Sequence, residues 1–259
     1  MELSIFQVDA FSSKVFGGNP AAICPLENWL PDATLQSIAL ENNLSETAYF
    51  VRTGDRYHLR WFTPAAEMDL CGHATLASAY VLFHELSYPS NTVYFDTKSG
   101  ELVVRRDGDL LVMDFPSRPP KAVAADVGLA TAMGGNPREI LAARDYFLVY
   151  ETEEEVLALR PDMAALSRLD KPTFIATARG KNCDFVSRFF APALGVPEDP
   201  VTGSAHCTLI PYWAEKLGKS SLHGWQVSAR RGELFCKLAG DRVEIAGHSV
   251  LYLKGKIWV

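Results

Sequence analysis

Gly72-His73-Ala74-Thr75-Leu76-Ala77-Ser78-Ala79-Tyr80-Val81-Leu82-Phe83 opens on a glycine and presents small or apolar residues on every side until His84. A helix with no polar face must be enclosed, so the rest of the chain has to supply its walls. Phe62-Thr63-Pro64-Ala65 precedes this stretch and Gly100-Glu101-Leu102 follows it. The same order returns later: Phe190-Ala191-Pro192-Ala193, then Gly203-Ser204-Ala205 opening a second apolar stretch, then Gly232-Glu233-Leu234. Landmarks that recur in step predict a duplicated module whose halves face each other across a cleft.

The flanking sequence fits walls of sheet. Ser4 to Phe11 is rich in β-formers and runs into the turn residues Gly17-Gly18-Asn19-Pro20, and Pro31-Asp32 to Asn43 has helical spacing. Thr47 to Thr53, His58 to Phe62, Thr92 to Asp96, Glu101 to Arg106 and Leu110 to Phe115 predict strands, several joined by hairpin chemistry such as Asp107-Gly108-Asp109. Pro116-Ser117-Arg118-Pro119-Pro120 cannot continue a sheet interior and marks a linker. Beyond it, strands near Tyr146 to Tyr150, Thr173 to Thr177 and Asp184 to Phe189 precede a helix over Ser204 to Leu217, which Pro211 is expected to kink. The fold class is therefore α+β, with pseudo-symmetric domains over 1–117 and 118–259. Each is a mostly antiparallel sheet, curled or closed into a barrel around a central helix, and the β-rich end from Ser249 to Val259 is placed to cross back to the first domain.

Composition narrows the function. At 259 residues, 48% hydrophobic and with net charge −6, the chain is globular and carries no basic stripe for a phosphate backbone. The N-terminus lacks signal-peptide features, and no run of about 18 apolar residues could span a bilayer. A cytoplasmic protein that binds neither membrane nor nucleic acid is expected. Cys24, Cys71, Cys183, Cys207 and Cys236 form an odd set without Cys-x-x-Cys spacing, which suits free thiols better than disulfides or a zinc ribbon.

A helix N-terminus presents unpaired backbone N–H groups and partial positive charge, so helix starts at Gly72 and Gly203 could together hold a carboxylate. Either glycine alone reads better as a tight turn before a helix; it is the symmetric occurrence that favours a site. Glu46 stands beside a strand that should be buried, where a carboxylate is costly unless paired or used, and it is the candidate acid/base. A solvated strand start or a helix cap is the alternative. Asp199, Thr202 and Ser204 cluster at the second helix start, and His73 at the first could exchange a proton or serve only as a packed histidine. His206 and Cys207 are expected to pack. No histidine pairing has metal-ligand spacing, and the dinucleotide and phosphate-loop patterns are missing, so chemistry without metal or cofactor is inferred.

Taken in order, Val8-Asp9-Ala10-Phe11, Phe16-Gly17-Gly18-Asn19-Pro20-Ala21, Leu44-Ser45-Glu46-Thr47-Ala48, Cys71-Gly72-His73-Ala74-Thr75, Asp184-Phe185-Val186-Ser187-Arg188-Phe189-Phe190-Ala191-Pro192 and Glu198-Asp199-Pro200-Val201-Thr202-Gly203-Ser204-Ala205-His206 resemble the phenazine-biosynthesis isomerases, the PhzF-like proteins of the diaminopimelate-epimerase-like fold. The resemblance covers essentially the whole chain. It implies a catalytic glutamate at Glu46, with His73, Asp199 and Ser204 as further catalytic residues, and Asn19, Ser45, Gly72, Thr202 and Gly203 around a small carboxylated substrate. It also implies a homodimer and no cofactor. In the founding activity such a glutamate moves a proton between two carbons on one face of a dihydro-hydroxyanthranilate.

Racemases of this fold use two cysteines ahead of the helix-start glycines. Here Cys71 precedes Gly72 but Thr202 precedes Gly203, and a threonine hydroxyl is far less acidic than a thiol of free pKa about 8.5. One-base chemistry through Glu46 is favoured over symmetric racemisation. Cys71-Gly72-His73 also resembles proline racemase-like enzymes, so epimerisation or dehydration of a hydroxylated amino or imino acid with Cys71 as base is the alternative. A non-catalytic interaction protein that keeps the fold is the third reading.

Overall fold

The computed structural model describes residues 1–123 and 127–259. Contacts divide the chain into two compact units, one of residues 1–114 and 246–259, the other of residues 115–245. Among the described residues, no helix is long and apolar enough to cross a membrane.

The first unit contains β1 (Glu2–Ala10), β2 (Asn19–Leu26), α1 (Asp32–Asn42), β3 (Glu46–Thr53), β4 (Arg56–Phe62), β5 (Glu67–Met68), α2 (Gly72–Tyr80), β6 (Thr92–Thr97), β7 (Gly100–Asp107) and most of β8 (Leu110–Pro116). The C-terminal strand pairs antiparallel with β1, β1 with β2, and β2 runs parallel to β3. Antiparallel β3–β4, parallel β4–β6 and antiparallel β6–β7 and β7–β8 continue the sheet. It is curled and open, not a closed barrel. Helix α2 touches β1, β2, β3, β7 and the C-terminal strand, so the sheet wraps it.

That enclosure answers the apolar sequence of α2, where every residue from His73 to Ala79 is buried. Its two hydroxyls survive there by bonding back along the helix, Thr75 Oγ1 to Cys71 O at 2.5 Å and Ser78 Oγ to Ala74 O at 2.7 Å. The helix then widens into a π-helical turn over Val81–Glu85. Helix α1 covers the opposite face of the sheet with Leu35, Ile38 and Ala39, packed against Ile5, Ala22, Cys24, Tyr49 and Phe62. With helices on both faces, β2 is buried almost throughout, as its unbroken apolar sequence requires.

The second unit repeats this plan with β9 (Lys121–Ala122), α3 (Val127–Met133), β10 (Glu139–Ala142), β11 (Tyr146–Val149), α4 (Glu153–Ala158), α5 (Met163–Leu166), β12 (Phe174–Arg179), β13 (Phe185–Ala191), β14 (Val196–Asp199), α6 (Gly203–Leu217), β15 (Ser221–Gln226) and β16 (Gly232–Ala239). Strand β17 (Arg242–Gly247) leads to the C-terminal strand β18 (Ser249–Trp258). The pairings follow the order of the first unit, where β4 also pairs antiparallel with β5: β9–β10 and β10–β11 antiparallel, β11–β12 parallel, β12–β13 and β13–β14 antiparallel, β13–β15 parallel and β15–β16 antiparallel. Outer helices α3 to α5 bury Leu129, Met133, Val156 and Leu166 against Phe174, Ala176 and Phe190.

Pro211 does not interrupt α6, which is continuous from Gly203 to Leu217. Proline removes the N–H that would bond the carbonyl of Cys207, and the Arg118 backbone N–H, arriving from the proline-rich linker, donates to that carbonyl at 2.8 Å. The helix thus keeps its proline because a neighbouring segment satisfies the freed acceptor.

Candidate active site

In the first unit three short structural events converge. Helix α1 ends on Asn43 in the left-handed conformation, the preceding Asn42 donates from Nδ2 to Thr47 Oγ1 at 3.1 Å, and half-buried Ser45 leads into Glu46, the first residue of β3. Parallel pairing sets Glu46 beside Ala21, just beyond Asn19 at the start of β2. Gly18 allows that approach, since its φ is +64° and a Cβ there would lie 2.1 Å from the carbonyl oxygen of Ala10. His73 enters from the first turn of α2.

Glu46 Oε2 lies 3.1 Å from His73 Nε2, with side-chain exposures of 16% and 5%. The two atoms are close without being aligned as a hydrogen bond, and neither has another hydrogen-bond partner among the described residues. On the other side of the ring, Nδ1 is 3.2 Å from Asn19 Nδ2 and 3.5 Å from Cys71 Sγ. Burial works against charging His73, but the acidic groups of Cys71 and Glu46 outweigh it and lift its titration well above the ordinary imidazole range. Burial first, then the charge of Glu46, pushes the Cys71 thiol up.

The donor atoms of Glu46, Cys71 and His73 all lie within 4.8 Å of one another, a set that could ligate a soft or borderline cation such as zinc. The arrangement suits proton exchange better. Cys71 and Glu46 address different ring nitrogens, whereas an ion would take only one of them.

In the second unit Thr202 is the extended N-cap residue of α6, as Cys71 is of α2, and no side chain caps either helix. Thr202 has a hydroxyl suited to capping, but it donates to Asp199 Oδ2 at 2.5 Å instead. Gly203 and Ser204 begin the helix, and Ser204 Oγ accepts from Arg144 Nη2 at 3.0 Å. Arg144 is braced through Nε by the buried Asp145 at 3.2 Å, which also accepts from Thr173 Oγ1 at 2.6 Å. His206 is fully buried, its Nδ1 2.9 Å from Thr202 O, and burial lowers its pKa to about 4. It is a neutral packing residue.

The expected residues therefore fall into two groups: Asn19, Ser45, Glu46, Gly72 and His73 in the first unit, and Asp199, Thr202, Gly203 and Ser204 in the second. Sequence reading missed Gln226 and Arg144, which hold the second group. Gln226 carried only a faint signal, as a polar residue ending an otherwise buried strand position.

Each helix start is also preceded by the same ion pair. Arg60 in β4 grips Glu67 in β5 through Nε at 2.7 Å and Nη2 at 2.9 Å, and Arg188 in β13 grips Glu198 in β14 with the same two distances. The guanidinium groups lie over Phe62 and Phe190 at 5.1 and 4.9 Å.

The family model described as phenazine biosynthesis-like protein matches residues 8–255. An uncharacterized isomerase of Pseudomonas aeruginosa is 55% identical over 258 residues, covering 99% of both chains. A crystal structure of a PhzF-family phenazine biosynthesis protein from Enterococcus faecalis superposes with a TM-score of 0.98 at 46% identity, covering 100% of both chains. The likeness to a hydroxyproline epimerase from Agrobacterium vitis, TM-score 0.62 at 10% identity over 99% of this chain and 92% of that one, is one of fold.

Proposed function

The chain belongs to the phenazine biosynthesis-like family of isomerases, and within it we propose a cofactor-independent enzyme that moves a proton on a small carboxylated, cyclic substrate with Glu46 as its single acid/base. The observation that carries this reading is the buried approach of Glu46 to His73 at 3.1 Å, with no other protein group bonded to either facing atom among the described residues.

In this mechanism the Glu46 carboxylate takes a proton from a substrate carbon as the C–H bond breaks. The electron pair shifts the substrate double bond, and Glu46, whose acquired proton exchanges with solvent while it is held, delivers a proton to a second carbon on the same face. Nothing is oxidised or reduced, and Glu46 ends as it began. His73, whose titration is raised, offsets the charge of Glu46 and keeps the carboxyl group oriented. Substrate carboxylate binding is assigned to the uncapped helix starts at Gly72 and Gly203, with Asp199 and Ser204 orienting the ring or relaying protons. That both half-sites serve one substrate rests on the duplication of the sequence. The reading extends to a cytoplasmic protein, which five free thiols favour, and to a homodimer, which rests on the resemblance alone.

A second reading has Cys71 as base on a hydroxylated imino acid, favoured by its 3.5 Å approach to His73 Nδ1. Its raised titration weighs against it. The deciding experiment offers dihydro-hydroxyanthranilate and trans-4-hydroxy-L-proline in deuterated water and follows label uptake. Uptake abolished by Glu46→Gln supports the first reading; unchanged uptake in that variant removes its central residue.

A further inference from the structure

We propose that Gln226 is a positioning residue for this reaction, fixing the direction of the Thr202 hydroxyl and, through it, the Asp199 carboxylate at the start of α6; the inference rests on the reading above. Gln226 ends β15 and is fully buried, where an amide is costly unless its donors and acceptor are all used. Among the described residues, its side-chain bonds go to one short stretch ahead of α6. Oε1 accepts from the Thr202 backbone N–H at 2.8 Å, while Nε2 donates to the Asp199 carbonyl at 2.8 Å and to Thr202 Oγ1 at 3.2 Å.

These partners settle the amide's orientation. The Thr202 N–H can only donate and the Asp199 carbonyl can only accept, so the oxygen must face the first and the nitrogen the second. Thr202 Oγ1 already accepts from Gln226, and its single proton goes to Asp199 Oδ2 at 2.5 Å. The chain of donors runs one way, from Gln226 through Thr202 to Asp199. An apolar residue of similar size could fill the space but would give the chain no direction. The backbone beneath is fixed as well, because Gln226 is registered between Ser187 of β13 and Gly232 of β16. In the first unit another fully buried amide, Asn19, stands 3.2 Å from His73 Nδ1.

The test uses anthranilate and pyrrole-2-carboxylate as cyclic carboxylate probes, with affinity measured by calorimetry from pH 8 to pH 5.5 alongside melting temperature. Gln226→Glu replaces the two-proton donor by an acceptor, and about tenfold or greater weakening relative to the parent is expected at pH 8. As the introduced carboxyl takes up a proton it regains one donor, so the ratio of variant to parent affinity should recover toward one at pH 5.5. Gln226→Met should weaken binding at both pH values without recovery. Parent-like affinity of Gln226→Glu across the range, or a weakening that tracks melting temperature and does not recover on acidification, overturns the proposal. Should the parent bind neither probe and Glu46→Gln leave label uptake intact, the functional reading fails and Gln226 loses its role with it. Probe binding by the parent with label uptake abolished in Glu46→Gln, together with parent-like Gln226→Glu, sinks the Gln226 proposal alone.

Discussion

His73 is shared between two acidic neighbours, with Nε2 3.1 Å from Glu46 and Nδ1 3.5 Å from Cys71. A strand start and a helix N-cap thus meet on the two nitrogens of one ring, and the question for chemistry is which neighbour moves protons. Burial, reinforced by Glu46, pushes the Cys71 titration up, and on the proposed mechanism the less buried carboxyl is the group that moves protons.

Cys71→Ala should therefore leave label uptake nearly intact. Removing a true general base costs roughly 10²–10⁴ in rate, so a loss below about tenfold clears Cys71 of that part. A loss as deep as that of Glu46→Gln, measured in the same deuterium assay, would favour the imino-acid reading.

The stability of the fold should decline with rising pH because of His73. Its titration in the folded state is raised above that of the unfolded chain, so its contribution is complete below about pH 6.5 and is lost as pH climbs through the folded value. Urea unfolding between pH 6 and pH 9 should show this decline in the parent, and His73→Gln should flatten it.

His206 should act in the opposite direction. With a folded pKa of about 4 against about 6.5 unfolded, it favours the native state above pH 6.5, and roughly 3 kcal/mol of that is withdrawn as pH falls toward 4. His206→Gln should be less acid-sensitive over that interval in chemical denaturation, even if it is less stable than the parent at pH 7.5.

The duplicated forks should stabilise each unit where its sheet turns toward the central helix. Arg60 first, with Lys98 adding to it and burial opposing, depresses Glu67 to about 2. Glu67→Gln should cost about 1.5–3 kcal/mol at pH 7, the range of a hydrogen bond to a charged partner. The difference from the parent should shrink as pH falls from about 4.5 toward 2, because the parent carboxylate is then protonated too.

Short-range pattern was enough to fix the plan of this protein. An apolar stretch with no polar side must be surrounded, and its recurrence after an equivalent glycine specifies two like units. The position of Glu46 was legible for the same local reason, as a carboxylate at the mouth of a buried strand. The contacts around it and around the second helix start were not. Asn19 reaches His73, Gln226 reaches back to Thr202, and Arg118 rescues the carbonyl that Pro211 abandons, each across a long separation in sequence. Such meetings depend on strand register and on how far each helix is rotated in its sheet. Hydrophobic periodicity constrains which face is buried, but it leaves open which polar atom on that face finds another, and only the folded chain decides that.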